Sequence, residues 1–181
     1  SVLGYGFLSL GYITTATFLP VIARETLPPT AWLDYFWPLL GFGVVVGALL
    51  ATRVPRRIDF RDALAACFVI QAVGVVIGVW VPGVASFALG SLLVGLPFTA
   101  ISFFGMQEAR RLSPAAPAGL MGLSTAVYGV GQIAGPPIAA WLIAHSGTRA
   151  QGFAWALDAA AASLVVGAVI HLVLARAHPR Q

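Results

Sequence analysis

Long apolar stretches broken by short polar segments recur along the chain at about residues 2–23, 32–51, 63–81, 84–106, 119–144 and 152–174. Each has the length a bilayer-spanning helix needs, about 20 mainly apolar residues, because a segment in hydrocarbon must bond its own backbone amides. The segments between them are too short to hold a soluble domain. The pattern therefore predicts an all-α, polytopic membrane protein with six transmembrane helices, all in one domain over residues 1–181.

Small residues and prolines punctuate these stretches. Gly43 and Gly47 form a GxxxG in the second helix, and Gly131 and Gly135 form another in the fifth. Such spacings let two helix backbones approach closely. The two motifs occupy corresponding places in successive three-helix units, the weak internal symmetry expected of two three-helix repeats. Pro38, Pro97, Pro136 and Pro137 are expected to interrupt backbone bonding inside their helices, since proline has no N–H to donate.

Composition sharpens the solvent assignment. Hydrophobic residues make up 59% of the chain and charged residues 9%, far from the roughly one-quarter charged content of soluble domains. Mean hydropathy is +0.92. The basic balance, with a pI near 10.0, reflects arginines at helix ends and no basic face interleaved with aromatics. Anionic lipid headgroups are thus the expected counter-charge, and nucleic acid is not an expected partner. Arg53, Arg56, Arg57, Arg61, Arg110, Arg111, Arg176 and Arg180 share one side, whereas the other holds Arg24, beside Glu25 and Asp34, and Arg149. The positive-inside rule makes the arginine-rich side cytoplasmic, with both termini inside. Trp32, Trp37, Trp80, Trp141 and Trp155 fall toward the opposite helix ends, as an interfacial belt requires. The lone Cys67 reads as a small core residue. The start at Ser1, without methionine or a basic n-region, reads as a cut from something longer and not as a signal peptide.

Candidate chemistry is sparse. Asp158 is the one acid expected at depth, and Gln71 and Gln132 lie midway along their helices, costly to leave unpaired in hydrocarbon. His145, His171 and His178 lack metal-ligand spacing, and no nucleophile constellation or phosphate-cradling loop is present. An enzyme is not expected, nor is any metal or cofactor. At 100° per residue, Tyr5, Ser9, Tyr12 and Thr15 share a face of the first helix, and Ser91, Gly95, Thr99, Ser102 and Met106 one of the fourth. Thr125, Tyr128 and Gln132 recur at helical spacing in the fifth. Such stripes must face protein or water, either as interhelical bonds or as the wall of a cleft for a polar solute.

The fifth helix carries the most specific pattern: Gly122, eight residues, Gly131, three residues, Gly135-Pro136, two residues, Ala139-Ala140. It is similar to motif C of the major facilitator superfamily, Gx8GxxxGPxxGG, with the last glycines replaced by alanines. The segment Thr52-Arg53-Val54-Pro55-Arg56-Arg57 resembles motif A, DRxGRR, with its acid and glycine replaced by Thr52 and Pro55. Without that acid, Arg53, Arg56 and Arg57 are expected to pair with Glu108 at the cytoplasmic end of the fourth helix. Together with the first helix and the QEARRLSP segment, these stretches make the whole chain resemble the carboxy-terminal half of YbfB/YjiJ-type major facilitator transporters.

That resemblance implies one six-helix bundle of a permease, working by alternating access with a second six-helix bundle, upstream in the same chain or supplied by a homodimer partner. The first and fourth helices would line the cleft, the second and fifth would flank it, and the third and sixth would support from outside. It makes Tyr5, Tyr12, Thr15, Thr99, Ser102, Tyr128 and Gln132 candidates for contact with a small solute. Gly122, Gly131, Gly135 and Pro136 become helix-packing positions, and Arg53, Arg56, Arg57 and Glu108 a cytoplasmic gate. Gln71 and Asp158 become peripheral. The expected location is a bacterial inner membrane; the alternatives are a non-transporting membrane assembly or sensor protein, or a half-size transporter.

Overall fold

A computed structural model describes residues 2–26, 34–55, 57–81 and 83–177. Six α-helices follow one another: α1 (Val2–Thr26), α2 (Phe36–Arg53), α3 (Phe60–Trp80), α4 (Val84–Leu112), α5 (Pro117–Ala144) and α6 (Arg149–Ala177). Helices α2 to α6 are long and apolar enough to cross a membrane; in α1 the apolar run is Gly6–Ile22. Several helices outrun the apolar stretches that predicted them. Helix α4 continues through the charged Gln107–Leu112 segment, because falling hydropathy marks the edge of the hydrocarbon and not the end of favourable i to i+4 bonding.

Helix α2 crosses α4, α3 packs between α4 and α6, and α1 packs between α5 and α6. The core between them is built from Leu64, Phe68, Val75, Val94, Ile101, Leu157 and Leu164, with the rings of Phe36 and Phe87 tilted against each other at one end. Close crossings depend on glycine. A Cβ on Gly47 would fall inside the carbonyl oxygen of Leu96, and one on Gly95 inside that of Leu40, so α2 and α4 meet backbone to backbone. A Cβ on Gly43 would lie 2.7 Å from the Leu92 oxygen.

Pro38 corrects an expectation. It stands in the first turn of α2, where the missing N–H has no intrahelical acceptor to lose, so it does not break the helix. Pro97 and the pair Pro136-Pro137 do lie inside helices, as does Pro20. The amide of Gln71 donates to the Val94 carbonyl at 3.0 Å, within the turn that precedes Pro97, and thereby joins α3 to α4. Asp158 accepts a bond from Trp80 Nε1 at 3.1 Å, an interfacial pair joining α6 to α3. Trp37, Trp80, Trp141 and Trp155 are exposed near helix ends on one side of the bundle, as a belt requires; Trp32 lies outside the described residues. Cys67 is buried in the core.

Candidate transport cleft

Helices α1, α4 and α5 bring polar groups together on one side of the bundle. Tyr12 of α1 stacks on Phe98 of α4 with ring centroids 4.5 Å apart and planes at 29°, a favourable offset arrangement. On α5, Gln132 lies one turn after Tyr128 and donates to its hydroxyl at 3.4 Å. Tyr12 and Tyr128 both rest their rings against the core. Pro136 has no N–H for the Gln132 carbonyl, so that peptide oxygen loses its usual helical donor in the same turn as the side-chain amide. The result is a set of amphipathic groups, apolar on their inner edges and polar at their tips.

Below this set α4 presents a hollow of about 360 Å³ lined by Thr99, Ser102, Phe103, Met106, Gln107 and Arg110. The hydroxyl stripe on α4 is therefore divided. Ser91 is buried with its hydroxyl on the Phe87 carbonyl, 2.7 Å, and Gly95 is covered by α2, whereas Thr99 and Ser102 face the open side. The stripe on α1 divides likewise. Thr15 is fully buried with its hydroxyl on the Gly11 carbonyl at 2.8 Å, and Ser9 is buried against α5, so neither hydroxyl is open as Thr99 and Ser102 are. The side chain of Tyr5 lies outside the described residues. Thr125 is exposed and bonds the Met121 carbonyl of its own helix.

The motif C-like glycines have distinct roles. A Cβ on Gly131 would strike Ser9 Oγ and come within 2.6 Å of the Gly6 carbonyl, and one on Gly135 would lie 2.6 Å from Ile13 Cγ2. Both hold α5 against α1. Gly122 meets nothing within 4 Å, so the bundle itself makes no use of it.

At the arginine-rich end, the acid of the motif A-like region has partners other than those expected. Glu108 is buried and accepts two bonds from Arg111, at 2.6 and 2.8 Å, with Arg61 Nε 3.8 Å from its Oε1. Arg61 is also buried; it forks onto both oxygens of Asp59 and donates to the Leu174 carbonyl of α6 at 2.7 Å. Arg53 and Arg57 are exposed, and Arg56 lies outside the described residues. Sequence reasoning passed over this cluster by counting Arg61 with the loop arginines. The available signal was Asp59-Phe60-Arg61 at a helix start, where Asp59 caps α3 by accepting from the Arg61 amide at 2.9 Å. Among the described residues no group of histidines, cysteines and carboxylates could hold a metal ion.

The family model described as uncharacterised MFS-type transporter YbfB matches residues 1–172. The chain belongs to that family. It is thus a multi-pass membrane protein of the major facilitator superfamily, whose members are transporters and not enzymes. No curated protein and no solved structure matches the chain.

Proposed function

We propose that the chain is one six-helix half of a YbfB-type permease that moves a small solute by alternating access, its cleft wall formed by Tyr12, Thr99, Ser102, Tyr128 and Gln132. The observation that carries this reading is that Tyr12 of α1 stacks on Phe98 of α4, Gln132 bonds Tyr128 on α5, and Thr99 and Ser102 line an open hollow on α4, while the hydroxyls of Ser9, Thr15 and Ser91 are satisfied inside the bundle. A merely adhesive role would bury all of them.

The pairing of helices supports two three-helix repeats. Exchanging α1–α3 with α4–α6 carries the α2/α4 contact onto α5/α1 and the α3/α4 contact onto α6/α1, and leaves α3/α6 in place. The glycines follow the same exchange, Gly43 and Gly47 meeting α4 as Gly131 and Gly135 meet α1. In α5 only 17% of the apolar window is buried and in α2 28%, against 50% in α4, which agrees with a second bundle flanked by α2 and α5. That bundle would be supplied by an upstream half of the same chain or by a homodimer partner. The arginine bias favours both termini on the cytoplasmic side of a bacterial inner membrane. Cysteines introduced at Pro29 and Ser113 in a Cys67→Ala background test this: an impermeant thiol reagent added to intact cells is expected to label the first and not the second. The opposite result would overturn the topology.

The cleft itself is tested by substitution and access. Gln132→Ala is expected to lower transport by tenfold or more with little loss of folded protein, since among the described residues Gln132 bonds only its helical neighbour. Cysteines at Tyr12 and Thr99 should react with a small water-soluble thiol reagent. Inert cysteines at both positions, with transport by Gln132→Ala intact, would favour a non-transporting assembly protein.

A further inference from the structure

Two open hollows among the described residues differ in how their charges are balanced. The first, about 400 Å³, lies between α1 and α2 and is lined by Thr17, Pro20, Arg24 and Trp37 among others; its Arg24 is paired with Asp34 at 3.2 Å. The second is the α4 hollow, which has Arg110 at its cytoplasm-assigned end. Its neighbour Arg111 is spent on Glu108, and Arg61 on Asp59, Glu108 and the Leu174 carbonyl. Arg110 has no ion pair among the described residues, and no carboxylate lines the hollow. The lining positions 99, 102, 103, 106, 107 and 110 recur at three and four residues, so one helical face carries two hydroxyls, an amide, a guanidinium and the apolar Phe103 and Met106.

We propose, resting on the transport reading above, that this hollow recognises a small organic anion with an apolar body. The Arg110 guanidinium takes the carboxylate or phosphate in its planar fork, the geometry arginine offers and lysine does not. Thr99, Ser102 and Gln107 bond the polar edges, and Phe103 and Met106 cover the apolar part. A cationic solute would meet the unbalanced charge of Arg110 with no acid to offset it. An anionic lipid headgroup shares the recognised chemistry, so the source of the anion has to be separated from the recognition itself.

Benzoate, benzamide and benzylamine share one ring and differ in charge, which makes them suitable probes. Their affinities are measured by saturation-transfer NMR on the full natural chain in phosphatidylcholine nanodiscs. Benzoate is expected to bind at least tenfold more tightly than either of the others. Arg110→Gln should reduce benzoate to the level of benzamide, Arg110→Lys should retain part of the preference, and Arg176→Gln, at an exposed position of α6, should leave it unchanged. Arg110 is exposed, so its substitution does not disturb the core, and an unchanged melting temperature checks this. Equal affinities for the three probes, no benzoate binding, or an unaffected Arg110→Gln protein would overturn the proposal. Repeating the titration with phosphatidylglycerol in the disc separates the sources. Retained benzoate affinity supports a solute site, and affinity lost in the wild type alone assigns the hollow to a headgroup and overturns the solute. Charge-selective binding in a protein that moves no solute would count against transport and leave the anion site standing, whereas flux with charge-blind binding would do the reverse.

Discussion

Gly47→Ala is expected to abolish the monodisperse folded protein, even though alanine is the smallest possible addition. The added methyl would occupy the space of the Leu96 carbonyl oxygen, part of a helical backbone that cannot rotate away. Overpacking a core costs about 1–3 kcal/mol where side chains can yield, and here α2 and α4 must separate along their whole crossing. The glycines of α5 provide a graded comparison. Gly131→Ala meets Ser9 Oγ and the Gly6 carbonyl and should be severe, whereas Gly135→Ala meets the side-chain atoms Ile13 Cγ2 and Thr14 Oγ1, with the Leu10 carbonyl at 3.5 Å, and should be milder. Gly135→Leu exceeds what those side chains can yield, and Gly122→Ala should be neutral within this bundle because nothing lies within 4 Å. Size-exclusion profiles and melting temperatures in detergent read the series. A wild-type profile for Gly47→Ala would contradict the close α2/α4 crossing.

The second large effect is expected at Arg61. Its guanidinium is only 3% exposed and joins three elements at once: the cap of α3 through Asp59, the end of α6 through the Leu174 carbonyl, and the Glu108–Arg111 pair of α4. Arg61→Met removes that cation and leaves Asp59 and the Leu174 oxygen without it. Breaking a buried pair by removing one partner typically costs about 3–5 kcal/mol, because the remaining group stays desolvated. Arg61→Lys should recover only part of this, since an ammonium cannot fork onto both Asp59 oxygens and still reach Leu174. Arg53→Met, at an exposed position, is the control and should cost little. Equal melting temperatures for Arg61→Met and Arg53→Met would remove the cluster from any role in holding α3, α4 and α6 together.

Arg61 also marks where the sequence stops being legible. Hydropathy locates the helices because the bilayer demands long apolar runs, yet Phe60 and Arg61 at the start of α3 read as loop when charge alone decides the boundary. Helical spacing finds the hydroxyl stripes but not their surroundings. Ser91 and Ser102 lie on the same stripe of α4; the first is sealed by a neighbouring helix and the second is open, because α2 covers the upper part of α4 and not the lower. Motif spacing fails in the same way at Gly122 and Gly131, which are equivalent as small residues and differ in having a helix across from them. Which helix lies across is a tertiary fact that a periodicity of 3.6 does not encode.

Two bundles enclosing one site remain the central proposal for this YbfB-type chain. The direct test is flux in phosphatidylcholine vesicles, measured with a panel of labelled small solutes, for residues 1–181 alone and for the same segment co-expressed with an upstream six-helix segment. The expected result is no flux and an aggregating or dimerising bundle in the first case, and flux from a monodisperse complex in the second. Flux by residues 1–181 as a strict monomer would contradict the two-bundle mechanism, and flux by a homodimer would make the chain a half-size transporter.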